Sequence, residues 1–329
     1  MSEILKNRRE ILFLYDIKDA NPNGDPMDEN KPRMDEETDT NIVTDVRLKR
    51  TIRDYLYDLK NKEIFIREIS DEKGNIQDAK LRARDFLYKI ENGEKREISL
   101  KDVDLNEMKN IVSSNILNDC IDVRLFGATI PIEKDTKNKS SVTYTGPVQF
   151  RMGRSMHKVE VKFIQGTGAF ASKEGATQKT FREEYIVPYS LIAFYGIVNE
   201  NAAKSTKMTE DDLLELRDAI WNGTKNLISR SKAGQMPRLY MEIGYKEDNY
   251  HIGDLDKYIN LVKKDETMDD KAIRDVSDFA IEIAPLYELL SKHKDSIKDV
   301  IIKKDERLVL TKNGEPIDNP QELFKTLII

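Results

Sequence analysis

Residues 19 to 30 read DANPNGDPMDEN, and the D-x-N-x-N-G opening is how a calcium-binding EF-hand loop begins. Asp19, Asn21, Asn23 and Gly24 keep to that pattern. Position twelve, which needs a bidentate glutamate, is Asn30, a neutral amide. Pro22 and Pro26 fix φ and remove two backbone donors, and the preceding EILFLYDIK reads as a strand rather than an entering helix. The stretch is expected to turn and run extended, not to wrap an ion. GTGAFA, residues 166 to 171, has the G-x-G-x-x-A form of a dinucleotide fingerprint, but SKEGATQKTFREEY after it lacks the apolar period of the required helix. Cys120 is the one cysteine, and His157, His251 and His293 are scattered, so no zinc spacing can be assembled and no cofactor is implied.

Cations are the other chemistry on offer. The formal net charge is −6, which taken as an average argues against a phosphate-bearing partner. Patterning reverses that reading locally. Residues 137 to 182 hold Lys137, Lys139, Arg151, Arg154, Lys158, Lys162, Lys173, Lys179 and Arg182 against Glu160 and Glu174, a net +7. Residues 247 to 282 hold eleven acids and five bases, a net −6, and read as a solvated acidic insertion.

The elements that must position these groups follow from hydrophobic periodicity. In NIVTDVRLKRTIRDYLYDLK, Thr44 or Asp45 caps a helix whose apolar stripe is Leu48, Ile52, Tyr55, Leu56 and Leu59. Lys49 and Arg53 lie four apart beside the stripe, with Arg47 and Arg50 further round. Residues 61 to 118 mix turns and short helical pieces, as an inserted subdomain would, and LNEMKNIVSSNILNDCIDVRLFG is helical up to Gly127. VTYTGPVQFRMGRSMHKVEVKFI reads as strand, and Val159, Val161 and Phe163 alternate with Glu160 and Lys162, the mark of a strand exposed on one face. A glycine-flanked basic excursion carrying Phe170 follows, then the apolar strand YIVPYSLIAFYGIV, a Thr-capped helix, and the strand around LYMEIGY. The order strand, helix, strand, strand, helix, strand predicts an α+β, ferredoxin-like plan of the kind RNA-recognition modules use. RLVLTKNGEPI predicts a closing hairpin turning at Asn313 and Gly314. With no apolar run of about 18 residues and no signal-peptide core in MSEILKNRRE, the chain is expected to be soluble and cytoplasmic.

NPNGDPMDENKPRMDEETDTNIVTDVRLKRTIRDYL, DVRLFGA, TGPVQF and VPYSLIAFYG, in that order, resemble the CRISPR-associated protein seven family, the backbone subunit of type I Cascade complexes, most closely its subtype I-B branch. The resemblance runs from residue 10 to about 246. It implies a non-catalytic protein that polymerises along CRISPR RNA, presents the guide to target DNA, and meets the large, small, five-prime-end and repeat-processing subunits of Cascade. A modified RNA-recognition-motif palm, inserted helical fingers and a protruding β-hairpin thumb are implied. These expectations divide the chain into residues 1–60 (first palm strand, loop and basic helix), 61–130 (fingers), 131–246 (remaining palm, thumb at about 165–183) and 247–329 (acidic insertion, helix and hairpin). Carried over, Lys49, Arg53 and Arg50 become phosphate ligands, with Ser229, Arg230 and Lys232 on a palm loop and Phe170 as a wedge. Asn21 and Gly24 would shape the opening loop, with Arg33 a neighbour or phosphate contact. Arg47, Arg151, Arg154, Lys173 and Lys179 complete the expected RNA-binding set. Two alternatives stay open: a metal-dependent RNA endonuclease of the type III backbone kind using Asp25, Asp28 or Asp35, and a generic single-strand binder stacking bases on Phe150, Phe163 or Tyr185.

Overall fold

A computed structural model describes residues 3–70, 74–171 and 179–327, with side chains undescribed for 167–171 and 179–182. It divides into two compact units, one made of residues 1–8, 49–149 and 197–223, the other of 9–48, 150–196 and 224–329. Among the described residues, no helix is long and apolar enough to cross a membrane.

The larger unit is built on one sheet. From edge to edge its strands run Ile297–Lys304, Met236–Tyr245, Arg9–Ala20, Lys179–Val198, Gly153–Ser155, Thr40–Val43 and Met34–Asp35. Arg9–Ala20 is apolar on both faces, and Ile11, Leu12, Phe13, Leu14 and Ile17 are fully buried. Its polar residues therefore need internal partners. Arg9 donates to Glu242 at 2.7 Å and to Asp299 at 2.6 Å. Asp16 accepts from Tyr189 Oη and Arg238 Nε, both at 2.8 Å. Glu10 accepts from the hydroxyls of Tyr195 and Tyr245 and from the amides of Ile252 and Gly253, each at 2.9 Å.

Those last two bonds tie the acidic segment to the sheet. Instead of forming a solvated insertion, it buries Leu255, Ile259, Ile273, Val276 and Phe279. Asn260–Lys263 and Phe279–Glu282 pair within a small four-stranded sheet completed by Leu310–Lys312 and Glu315–Pro316. The last two strands are the expected hairpin, with Asn313 (φ 53°) and Gly314 (φ 82°) in the left-handed conformations its tight turn requires. Glu282 accepts both turn amides, from Asn313 at 3.0 Å and Gly314 at 2.9 Å.

The expected one-sided strand at 159–163 is corrected. Val159 is buried without belonging to a strand, and Phe163 is 46% exposed at the root of an antiparallel ribbon, Lys162–Ala171 against Lys179–Val198. There its ring centroid lies 4.9 Å from that of Tyr185. The stretch 142–164 is broken among Lys139–Thr145, Val148–Phe150, Gly153–Ser155 and Lys162–Ala171, and the alternation at 159–161 falls in a linker of which Val159 is the buried residue.

His157 is buried in this unit as a neutral ring. Nδ1–H donates to the Lys158 carbonyl at 2.8 Å, and Nε2 accepts the Leu191 amide at 3.3 Å. Desolvation holds its pKa below the ordinary value, so a proton gained on acidification goes preferentially to the unfolded chain. Stability is full above about pH 6.5 and declines as pH falls from there through the depressed folded value. Melting temperature measured from pH 7.5 to 5 should fall, and His157→Gln should flatten that slope; equal slopes in both proteins would contradict this.

In the smaller unit, helix Leu105–Asp119 starts with a capping box in which Asp104 and Glu107 satisfy each other's amides. Met108, Val112 and Ile116 from this helix pack with Phe65, Ala83, Phe86, Ile130 and Ile132 in one core. Helix Ile121–Phe126 ends at Gly127, where φ is 71° and an added Cβ would lie 2.1 Å from the Tyr144 carbonyl oxygen. Helix Glu210–Asp218 has the expected Thr209 cap and runs into a π-helical turn at Ala219–Gly223.

Candidate nucleic-acid interface

In the larger unit, the D-x-N-x-N-G stretch is a small β-hairpin, Gly24–Asp25 against Lys31–Pro32. Asn21 is buried and donates from Nδ2 to the Asn30 carbonyl at 2.7 Å. A Cβ on Gly24 would lie 2.7 Å from the Asn30 carbonyl oxygen, a backbone atom that cannot swing away, so the closure needs glycine. Asn23, in turn, accepts at Oδ1 from the Thr44 amide and hydroxyl, both at 2.9 Å, while Thr44 Oγ1 accepts the Arg47 amide at 3.3 Å. Thr44 is thus the cap of helix Asp45–Asp58, and the loop is bolted to it.

The same loop reaches the segment Ser229–Gly234. The Asn21 amide donates to the Ser231 carbonyl at 2.9 Å, and Lys232 Nζ donates to Ser231 Oγ at 3.2 Å. Ser229 is exposed, and its carbonyl accepts the amides of Lys232 at 3.1 Å and Ala233 at 2.7 Å. Lys232 is half-buried, and among the described residues no carboxylate pairs with it. Its pKa is lowered by burial first and by the positive charge of Arg47 second. A desolvated ammonium held near a guanidinium is electrostatically costly, and an anion arriving there relieves the cost. The helix pattern named Arg47 and the family resemblance implied Lys232, but neither joined the two, and Ser231 was overlooked. The usable signal is that Lys232 has no acid three or four residues away.

Other expected ligands in this unit are already engaged. Arg33 pairs with Asp25 at 2.7 Å, Arg154 with Asp35 at 2.7 Å, Arg230 with Glu184 at 3.0 Å, and Arg151 with Asp254. Phe170 and Lys179 belong to the ribbon by backbone, but their side chains, and all of Lys173, lie outside the described residues.

In the smaller unit, Lys49 Nζ donates to Gln149 Oε1 at 3.1 Å and lies 5.7 Å from the Phe126 ring centroid. Arg50 is exposed and pairs with Asp54 at 2.6 Å. Arg53 is different. Its side chain is 11% exposed, stacks 5.1 Å from the same Phe126 ring, and donates from Nε to Asp122 at 3.1 Å. Asp122 is fully buried and also accepts the amides of Phe65 at 2.8 Å and Ile66 at 3.1 Å. Leu48, Ile52 and Leu56 form the buried stripe as expected, whereas Leu59 lies beyond the helix and is 55% exposed.

The three carboxylates that metal-assisted cleavage would enlist are likewise bonded to cations. Asp25 holds Arg33, Asp28 holds Lys31 at 2.7 Å, and Asp35 holds Arg154.

A profile of the family described as CRISPR-associated protein Cas7 matches residues 7–284. The CRISPR-associated protein Cas7 of Haloferax volcanii is 32% identical over 326 residues, spanning 94% of this chain and 91% of that protein. Among solved structures, a chain of a CRISPR RNA-guided surveillance complex in a pre-nicking state superposes with a TM-score of 0.54 at 13% identity, covering 97% of this chain and 98% of that one, a likeness of fold. Family profile and curated relative agree over nearly the whole sequence: the chain belongs to the CRISPR-associated protein Cas7 family.

Proposed function

We propose that this protein is the backbone subunit of a type I-B Cascade complex, binding CRISPR RNA through sequence-independent phosphate contacts and presenting it to target DNA. The observation that carries the reading is the Lys232–Arg47 neighbourhood: two cations near one another, one of them with a depressed pKa, beside a loop locked to the helix cap. A scaffold for any guide has to grip the ribose-phosphate chain and leave base edges alone. Strand neighbours Met236–Tyr245, Arg9–Ala20, Lys179–Val198 and Gly153–Ser155, in that order, support a ferredoxin-like palm. The ribbon in which Lys162–Ala171 pairs with residues 179–186 contains the thumb, expected at about 165–183, and the inserted residues 61–130 are the fingers. Further copies of the chain, the large, small and five-prime-end subunits and the repeat-processing endonuclease are its partners, in the cytoplasm. On this reading the subunit does no chemistry itself, and its loop carboxylates serve as partners of Arg33, Lys31 and Arg154.

Sequencing the RNA that copurifies with the complex tests this. One length of repeat-derived RNA is expected; a smear of unrelated RNA would make the protein a generic single-strand binder. Cleavage of complementary RNA with Mg2+, abolished by Asp25→Ala, would make it an enzyme.

A further inference from the structure

A cleft of about 470 Å³ in the larger unit is lined by Arg151, Arg154, Ser155, Lys257 and Asn260, among others. Arg151 stands at its rim with the guanidinium 4.5 Å from the Tyr195 ring centroid and its side chain 53% exposed. Asp254 meets it from across the chain, and Asp256 lies 3.8 Å away. Most exposed ion pairs are incidental. This one is built. Asp254 sits in the left-handed region (φ 54°) directly after Gly253 (φ 91°), a conformation an aspartate adopts only at a cost. The buried Glu10 carboxylate holds both halves: it takes the hydroxyl of Tyr195, the ring that carries Arg151, and the amides of Ile252 and Gly253, which lead into Asp254.

We propose that Asp254 is an internal stand-in for a phosphate of single-stranded RNA, occupying Arg151 in the free protein and giving way when a phosphodiester enters the cleft beside Arg151, while Arg154 and Lys257 keep their own partners Asp35 and Asp256. The site rests on the RNA-binding reading above and adds a threshold to it. A carboxylate and a phosphate oxygen make the same charge-assisted bond to a guanidinium. An exposed pair is weak enough to exchange, so a stray strand making few contacts has to displace Asp254 unaided. A guide held at several other points does so at little extra cost, because the exchange is then intramolecular.

The test is the affinity of the purified chain for a short fluorescent oligouridylate across a salt series. Asp254→Asn keeps the left-handed turn, which asparagine adopts readily, and Asp254→Gly does so as well. Both should bind roughly two- to fivefold tighter, the range an exposed ion pair spans. The salt slope should steepen by about 0.7 for one added phosphate contact. Arg151→Gln in the Asp254→Asn background should remove the gain, and Asp318→Asn, an exposed acid elsewhere, should leave affinity unchanged. No tightening in either Asp254 variant, or a gain that survives Arg151→Gln, would overturn the proposal. If Lys232→Glu leaves affinity untouched as well, the RNA-binding reading itself has failed; if it lowers affinity while the Asp254 variants do nothing, only the stand-in has.

Discussion

Lys232→Glu is expected to strip guide RNA from the purified complex while leaving the protein at least as stable as the parent. A hydrogen bond to a charged group contributes about 1.5–3 kcal/mol, so its loss weakens each protomer's grip roughly ten- to hundredfold. Arg47→Glu should likewise weaken guide retention, and the pair should be less than additive because the two charges act on one another. The stability half of the expectation separates this residue from a structural lysine. Burial and Arg47 already disfavour the ammonium, so removing its charge takes away a cost and no carboxylate is orphaned. Lys232→Met in a denaturant titration should show a midpoint equal to or above the parent's. Lost stability in Lys232→Met, or guide retained by Lys232→Glu, would remove the cluster from the interface.

Asp122→Ala should cost the most stability of any single change considered. It leaves Arg53 and the amides of Phe65 and Ile66 without their buried acceptor. Breaking a buried ion pair from one side costs about 3–5 kcal/mol, because the remaining charge is stranded. Chemical denaturation would register the loss as a lower midpoint at unchanged slope; a shift below about 1 kcal/mol, the ceiling for exposed pairs, would mean that water reaches the site. The consequence for RNA work is direct. Reversing charge at Arg53 places a carboxylate against Asp122, and guide lost from that variant reports unfolding. Lys49 on the same flank donates to Gln149 and lies against the Phe126 ring, and it makes no contact with Asp122 that would strand a buried charge on substitution; Lys49→Gln is therefore the variant to compare with Arg53.

The backbone plan was legible because its signals are local. Leu48, Ile52 and Leu56 repeat at helical spacing, Thr209 caps acids in a first turn, and Asn313-Gly314 specifies a tight turn, each decided within a few residues. Charge was the harder matter, because what a cation does depends on which acid the fold delivers to it. Counting residues 137 to 182 as +7 treats Arg151 and Arg154 as available, yet Asp254 and Asp35, both outside that range, lie against them. Arg53 and Lys49 share one helix flank in sequence, but a buried aspartate 69 residues further on makes one a strut. The acidic segment was misread for the same reason: Leu255, Ile259 and Val276 are spaced too irregularly among acids to announce a core. Lys232 and Arg47 stood out individually and acquired meaning only through Ser231 and Asn21, which fix where the loop lies.

The central claim is a grip on the sugar-phosphate chain that ignores its letters. Retention of two guides of equal length and unrelated spacer sequence, measured against salt in parent and Lys232→Glu complexes, tests it most directly. The account predicts one affinity and one slope for both guides in the parent, and a slope shallower by about 0.7 per protomer in the variant. Guides that differ in affinity, or a slope that Lys232→Glu leaves intact, would contradict it.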